Sequence, residues 1–193
     1  MTHIERRQRE KEEQRKAIMD AAIAIASKEG WQAVTIRRIA EAIEYAPPIV
    51  YEYFDNKEAL FTQLVYKGFG LLHSEYIKAK SSEPDPKKLL RLLSVAHWNF
   101  SETNKELFQL MFNLERPLPN EEMQNNFKLL EELFLELAHG NNESADVLMI
   151  SWVFMNHGAF TIMMQLPPPK DKFSNMSAFD VYVKALDRFI YSI

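Results

Sequence analysis

The sequence predicts an all-α protein. Three observations support this prediction: apolar residues recur at helical spacing, strand-like alternation does not persist, and the 193 residues include only 5 Gly. Apolar residues make up 47% of the chain, which is enough for a substantial core, and charged residues make up 26%. The length suits one fair-sized domain, or a small domain followed by a larger one.

The expected helices form a short N-terminal group and a longer C-terminal group. Helical periodicity and breakers predict helices over 5–28, 35–43, 47–53, 57–80, 87–102, 105–113, 120–139, 143–166 and 176–192. The segment SSEPDP at 81–86 is the clearest break between the groups. We therefore predict a three-helix domain over 1–56, a connecting helix over 57–80 and a helical-bundle domain over 81–193.

Composition excludes several classes of protein. The chain has no Cys, so disulfide frameworks, thiolate zinc sites and Cys nucleophiles are excluded. The charged N-terminal segment THIERRQREKEEQRK has no apolar segment behind it, unlike a signal peptide, and Val147–Leu166 is interrupted by polar residues, which favours a buried helix over a membrane span. These features predict a cytoplasmic protein without a cofactor. The net charge of −4 does not exclude DNA, because binding depends on the local surface.

The double proline at Pro47 and Pro48 is the most informative local feature. A residue before proline favours extended backbone angles, so Ala46 is suited to an N-cap position. Both prolines then fit the first helical turn, where amides have no intrahelical partner. The prolines therefore start a helix rather than break one.

The segment around these prolines, 36–54, has the spacing of a helix-turn-helix. Two short helices meet across a three-residue turn, with small Ala40 at the close approach and an inward set of Ile36, Ile39, Ile43 and Val50. Hydrophobic spacing alone also fits an ordinary three-helix packing unit.

The start of the third helix presents apolar groups rather than amide donors. Pro47, Pro48 and Ile49 suit thymine methyl groups in a major groove, which predicts a preference for A·T-containing positions. Tyr45 or Tyr53 would add a polar contact to that readout.

Hydroxyl and ammonium groups nearby suit the DNA backbone. Tyr51 follows core-facing Val50, so its hydroxyl is expected to reach a phosphate, and the Thr35 hydroxyl could do the same. A fourth helix opens at Asn56-Lys57 with a capping-box pattern that begins at Asp55, and its free amides suit a second phosphate.

Residues 15–61 resemble the N-terminal domain of TetR-family transcriptional regulators. The resemblance rests on RKAIMDAAIAIASKEGWQAVTIRRIAEAI followed by VYEYFDNKEALF, in the family's order and spacing. It implies a homodimer that reads a palindromic operator. The implied and inferred DNA contacts are Thr35, Arg37, Tyr45, Pro47, Pro48, Ile49, Tyr51, Tyr53 and Lys57.

Three residues depart from the family's usual pattern. Glu44 stands where the family usually has a turn glycine, Tyr45 where it often has valine, and Ala46 where serine commonly caps the third helix. The missing serine removes one phosphate contact, and Glu44 adds a negative charge near the DNA. These departures support an alternative: a ligand-binding or adaptor protein of the same fold whose DNA binding is weak or lost.

Aromatic residues and methionines crowd the C-terminal region. Methionine adapts to irregular contents, so a hydrophobic effector pocket is plausible, although the same spacing also fits an ordinary core. The predicted ligand-binding residues are Trp98, Phe108, Met111, Phe112, Trp152, Met155 and Phe160. In addition, Trp152, His157 and Gly158 resemble the Trp…His-Gly signature of one TetR subgroup, and family C-terminal domains generally bind a small effector and dimerise.

The last two helices are the expected dimer interface. The segment 147–166 is apolar on nearly every side, and the final helix has an apolar stripe, so pairing with the same helices of a second copy would bury both. The predicted interface residues are Met163, Phe179, Tyr182, Leu186 and Phe189.

Two further patterns have sharper and plainer interpretations. The basic N-terminal segment fits an arm along DNA, or a solvated helix start with alternating charge. Glu136 and His139 form one Glu-x-x-His, but a di-iron site needs two such motifs and two further Glu, so neither metal binding nor a metal-dependent bundle enzyme is expected. No nucleophile–base–acid spacing is present. The sequence thus predicts a ligand-responsive repressor that is released from its operator by a small hydrophobic effector.

Overall fold

The protein is built of helices. The computed structural model describes residues 2–112, 121–165 and 176–193, apart from the side chains of residues 122 and 163–165. In these ranges the prediction of an all-α fold is confirmed, and no described helix is long and apolar enough to cross a membrane. The helices are α1 (His3–Glu29), α2 (Ile36–Ala42), α3 (Pro47–Tyr51), α4 (Lys57–Ser82), α5 (Pro86–Thr103), α6 (Lys105–Met111), α7 (Glu121–Leu137), α8 (Asn142–Gln165) and α9 (Ala178–Tyr191), with a 3-10 turn at Trp31–Ala33.

The chain folds as two compact units. Unit 1 comprises residues 1–68 and 104–117, and unit 2 comprises residues 69–103 and 118–193. The helix α4 contributes to both units, as the predicted connecting helix would, whereas α6 belongs to unit 1 and not to the predicted C-terminal domain.

Residues far apart in sequence hold α6 in unit 1. The Trp31 indole donates a hydrogen bond to the Glu106 carbonyl at 3.1 Å, and its ring meets Phe61 edge-on at 5.1 Å. Gly68 on α4 leaves room for the Met111 side chain, since an added Cβ would lie 2.9 Å from Met111 Cγ.

The helix starts in unit 1 follow from local sequence. Thr35 caps α2 by accepting a hydrogen bond from the Arg38 amide at 3.2 Å. Ala46 has extended angles of φ −81° and ψ 148° and both prolines stand in the first turn of α3, so the prediction that they start a helix is confirmed. At α4 the Asn56 side chain accepts from the Ala59 amide at 2.7 Å. The cap is therefore Asn56, one residue later than the capping-box pattern predicts.

Unit 2 is a bundle in which α5 packs against α7, α8 and α9, and α7 packs against α8. The second part of α4 is joined to α7 by Asn126, which donates to the Phe69 carbonyl at 3.1 Å and lies 2.9 Å from His73 Nδ1. The largest fully buried side chains of this unit include Tyr76, Phe134 and Phe160.

Candidate nucleic-acid interface

The turn between α2 and α3 is tightly closed. The Tyr45 amide donates to the Ala40 carbonyl at 2.9 Å and the Glu44 amide to the Glu41 carbonyl at 3.2 Å. Glu44 has φ +60°, a left-handed conformation that glycine adopts at much lower cost. Ile39 of α2 and Val50 of α3 are fully buried where the two helices pack against each other.

The outer face of α3 is open to solvent. Pro47 and Pro48 are exposed, Ile49 is half-buried, and the side chains of Tyr45 and Tyr51 are 51% and 53% exposed. Because Val50 is fully buried, the alternation predicted for Val50 and Tyr51 is what the structure has.

The other predicted DNA contacts are partly engaged within unit 1. Thr35 is exposed but its hydroxyl caps α2, and Arg37 is exposed and paired with Glu41 at 2.9 Å. Lys57 Nζ lies 5.0 Å from the centre of the Phe61 ring. All three contacts are to residues three or four positions further along the chain.

A residue that sequence reasoning missed holds α3 in place. Arg15 on α1 donates to the Tyr53 carbonyl at 3.4 Å and to the Gln63 side chain at 2.9 Å, and its guanidinium lies 4.6 Å from the centre of the Phe54 ring. One side chain thus links α1, the end of α3 and α4. The only sequence signal was its place among many N-terminal charges.

The N-terminal basic segment is helical. Thr2 and Glu5 form a capping box, and Arg6–Glu10 and Arg9–Glu13 are ion pairs one turn apart, at 3.3 and 2.8 Å. The hydrogen bond that Arg9 donates to Glu13 raises the pKa of Arg9. The alternating charges therefore support a helix, and both interpretations of this segment, an arm along DNA and a solvated helix start, stay predictions.

The first turns of α1, together with α3 and the residues on either side of it, enclose a concave surface. Its volume is about 760 Å³, and it brings Tyr45, Ile49 and Tyr53 of the predicted interface together with Arg7 and Lys11 of α1. Gln14 also lines it. The helical spacing of positions 7, 11 and 14 could have revealed this face of α1.

In unit 2, three of the predicted effector residues meet in one aromatic cluster. Trp98 stacks on Tyr182 with centroids 4.9 Å apart, and Phe160 stacks on His97 at 5.0 Å. Trp152 meets His97 edge-on at 6.0 Å.

Hydrogen bonds between uncharged groups tie this cluster together. The Trp152 indole donates to Ser94 Oγ at 2.8 Å, and the Tyr182 hydroxyl lies within hydrogen-bond distance of two acceptors, the Ser94 carbonyl and Asn156 Oδ1. The Tyr76 hydroxyl lies 2.6 Å from His97 Nδ1.

The cluster is neutral near pH 7. Burial, with a smaller contribution from His157, lowers the pKa of His97 to about 3, and burial also raises the pKa of Tyr76 and of Tyr182. Burial lowers the pKa of His157 as well.

The remaining predicted effector residues lie elsewhere. Phe108, Met111 and Phe112 belong to unit 1, where the two phenyl rings are 4.7 Å apart and Met111 packs against Gly68. Met155 is half-buried on α8.

The predicted dimer interface needs correction at two residues. Tyr182 and Leu186 are 2% and 0% exposed, because this side of α9 packs against α5 inside the protomer, where they cannot face a second chain. Phe179 and Phe189 are half-buried, and the side chain of Met163 lies outside the described residues.

An exposed apolar surface lies on α8, the other helix of the predicted interface. Val147, Ile150, Phe154 and Ile162 are all exposed, and helical spacing places them on one face. We call this face the α8 stripe. Gly158 lies within it, and a Cβ added there would meet nothing within 4 Å.

Glu136 and His139 are exposed at the end of α7, where His139 has φ +52°. Among the described residues, no group of three or more His, Cys, Asp or Glu side chains is arranged to hold a metal ion.

Comparisons with known proteins agree on the N-terminal segment. Residues 18–64 match the family described as bacterial regulatory proteins, tetR family. Over 81 residues, the chain is 33% identical to the HTH-type transcriptional repressor KstR of Mycolicibacterium smegmatis, a match that covers 42% of this chain and 40% of that repressor. The chain therefore matches about two fifths of the length of this curated relative.

Comparisons of structure extend the likeness of fold to nearly the whole chain. The TetR-family transcriptional regulator PfmR of Thermus thermophilus has a TM-score of 0.65 at 20% identity, over 90% of this chain and 97% of PfmR. The fatty acid degradation regulator FadR of Bacillus halodurans has a TM-score of 0.70 at 17% identity, over 92% and 94%. Residues 18–64 therefore match the tetR family of bacterial regulatory proteins, within a chain whose fold is similar to that of these solved structures.

Proposed function

We propose that this protein is a cytoplasmic transcriptional repressor that binds a palindromic DNA operator as a homodimer and is released by a small hydrophobic effector. The observation that supports this most directly is the solvent-exposed face of α3, which lies within the segment that matches the tetR family. The repressor KstR, which is similar over the N-terminal region, supports the sign of regulation.

The proposed reading surface is apolar at its tip. Pro47, Pro48 and Ile49 offer methylene and methyl groups to thymine, while proline nitrogens cannot donate hydrogen bonds. The exposed Tyr51 hydroxyl is proposed to bind a backbone phosphate, as is Lys57. In the dimer, two copies of α3 would occupy successive major grooves about 34–36 Å apart.

The proposed dimer forms through the α8 stripe. Phe154 is 71% exposed, which leaves roughly 100–180 Å² of this residue in water, and the open space at Gly158 lies one helical turn away. In a two-fold interface, Phe154 of each copy can enter the space at Gly158 of the other. This reciprocal fit favours a second copy of the chain as the occupant.

Replacing Phe154 tests the dimer. Phe154→Glu should convert the protein to a monomer in multi-angle light scattering, because a charge would be buried in the interface. Ile77→Glu is the matched control, since Ile77 is an exposed apolar residue on α4 of the same unit. A Phe154→Glu variant that remains a dimer would exclude the α8 stripe.

The proposed effector is small and uncharged. The described polar residues that are buried in unit 2 are Ser94, His97, Ser101, Asn126 and Asn156, and none of them has a formal charge near pH 7. Because burying a charge without a partner is costly, a neutral molecule with aromatic or aliphatic surface fits this interior best. The likeness of Trp152, His157 and Gly158 to one TetR subgroup stays a prediction.

The alternative function is a ligand-binding or adaptor protein that has lost DNA affinity. It is favoured by Glu44, which combines a negative charge with a strained backbone at the turn before α3, and by Ala46, which has no hydroxyl for a phosphate.

Selection from random DNA separates the two functions. The purified protein is incubated with a random duplex pool for several rounds, and the winner is titrated by fluorescence anisotropy at two salt concentrations. A palindromic winner with tight, salt-dependent binding supports the repressor. No enrichment by a folded dimer would overturn it in favour of the adaptor, and a purely G·C-rich winner would refute the A·T preference.

A further inference from the structure

The concave surface between α1 and α3 extends the proposed DNA interface beyond the helix-turn-helix. It is formed within unit 1 by the first four turns of α1 on one side and by α3 with its flanking residues on the other. We call it the α1–α3 cleft. Its volume is about 760 Å³, which is enough space for part of another molecule.

The charges along α1 are divided between two environments. Arg6 and Arg9 are each paired with a carboxylate one turn later, at 3.3 and 2.8 Å. Arg7 and Lys11 line the cleft, and within the described part of the chain neither makes an ion pair. The pairing thus neutralises two N-terminal cations and leaves two others exposed on the cleft side.

Two carboxylates also line the cleft. Glu10 is already paired with Arg6, and Glu52 follows α3. The charges of the cleft that have no ion-pair partner are then those of Arg7, Lys11 and Glu52, without counting His3. Their sum is positive. An anionic occupant is therefore favoured over a cationic one.

We propose that one strand of the DNA backbone lies in the α1–α3 cleft, where Arg7 and Lys11 bind its phosphates while α3 faces the bases. This inference rests on the proposed function, because it requires α3 to be in the major groove. Tyr45 and Ile49 line the same cleft, so the reading helix and the two cations face a common occupant.

The spacing of the two cations fits phosphates two nucleotides apart on one strand. Arg7 and Lys11 are four residues apart on one helix face, which separates them by about 6 Å along the axis. Two nucleotides of one strand rise by roughly 7 Å in duplex DNA. Gln14, one turn further along the same face, also lines the cleft, and its side-chain amide nitrogen is buried with no hydrogen-bond partner in the described structure.

The helical form of the segment matters for affinity. The Thr2–Glu5 capping box and the ion pairs hold α1 in a helix out to His3. A preformed helix loses less conformational entropy on binding than an unfolded arm does. The cations are therefore positioned before DNA arrives.

The test is a salt titration with matched variants. The DNA is the duplex that wins the random selection, and binding is measured by anisotropy between about 50 and 200 mM salt. Arg7→Ala and Lys11→Ala are compared with Arg9→Ala, which removes a cation from the same helix but one already paired with Glu13. Circular dichroism checks that each variant keeps its helix content.

Each cleft variant should lower the slope of log K against log salt by about 0.9 per half-site, or about 1.8 for a dimer. The ratio of wild-type affinity to variant affinity should therefore fall about tenfold as the salt concentration rises from 50 to 200 mM. Arg9→Ala should change the slope by much less. If all three variants keep the wild-type slope, or all three lower it equally, the cleft does not hold the backbone. A wild type that binds no DNA would instead refute the proposed function itself.

Discussion

Glu44→Gly is the substitution that most directly tests the conformation of the turn before α3. Glu44 has φ +60° between α2 and α3, and the backbone there is fixed by hydrogen bonds from Glu44 and Tyr45 to the end of α2. A residue with a Cβ pays for this left-handed conformation, whereas glycine adopts it freely. The variant should therefore be more stable than the wild type.

The expected gain follows from two opposing effects. Relief of the left-handed conformation contributes about 1–2 kcal/mol. The larger conformational freedom of glycine in the unfolded chain costs about 0.4–1 kcal/mol. The net increase in the free energy of unfolding is then roughly 0.5–1 kcal/mol, which raises the thermal midpoint by about 1–4 °C in a chain of this length.

Thermal and urea unfolding at fixed protein concentration measure the effect, and two controls isolate its cause. Glu44→Ala removes the charge but keeps a Cβ at positive φ, so it should bring little gain. Glu52→Gly places glycine at φ −67°, where it should lower stability by roughly 0.5–1 kcal/mol. If Glu44→Gly is no more stable than Glu44→Ala, the turn is not strained in the way its backbone angle implies.

Three further predictions concern the core and the recognition helix. Gly68→Ala should lower stability by about 1–3 kcal/mol in thermal unfolding, because the added Cβ would lie 2.9 Å from Met111 Cγ and closer still to Sδ. The pKa of His97 is about 3 in the folded protein and roughly 6.5 in the unfolded chain, so between pH 7 and pH 5 the wild-type side chain binds a proton only after unfolding. The free energy of unfolding of the wild type should therefore fall by roughly 2 kcal/mol from pH 7 to pH 5. His97→Gln should remove this part of the loss. Equal losses in urea titrations of both proteins would contradict this. Tyr51→Phe should weaken binding to all DNA sequences alike, whereas Ile49→Ala should change the winner of a repeated selection; an unchanged winner would mean that α3 does not read the bases.

Local features of the helix-turn-helix could be predicted from the sequence because neighbouring residues determine them. The extended angles of Ala46 follow from the proline after it, and the cap at Thr35 follows from its hydroxyl. The burial of Ile39 and Val50 follows from helical spacing across a short turn. None of these features depends on a residue that is distant in sequence.

Features that depend on distant residues were predicted poorly. The membership of α6 in unit 1 rests on Trp31 and Gly68, which lie 75 and more than 40 residues away from their partners Glu106 and Met111. Nothing in the spacing of α6 itself distinguishes this packing from packing in the C-terminal bundle. The domain boundary therefore could not be drawn correctly at a single break in the chain.

Two of the predicted dimer contacts, Tyr182 and Leu186, were misjudged for a related reason. The stripe on α9 is strongly amphipathic, but periodicity shows only that one face of a helix is covered and not which element covers it. In the structure α5 covers Tyr182 and Leu186, and Arg91 of α5 pairs with Asp187 at 2.9 Å. On α8, where both sides are apolar, one side faces the bundle and the other leaves Phe154 exposed. A helix that is apolar on every side therefore indicates more surface to bury than one protomer provides.

The negative net charge becomes compatible with DNA once pairing is considered. In unit 1, Arg6, Arg9, Arg37 and Arg38 each face a carboxylate within ion-pair distance, so these four carboxylates cancel cations that do not line the cleft. A sum over the chain counts these carboxylates as repulsive toward DNA, although each is already balanced locally. A phosphate in the α1–α3 cleft would face the charges that have no ion-pair partner, and there Arg7 and Lys11 outnumber Glu52. The sign of a binding surface is thus set by which charges are left unpaired, a property that composition cannot give.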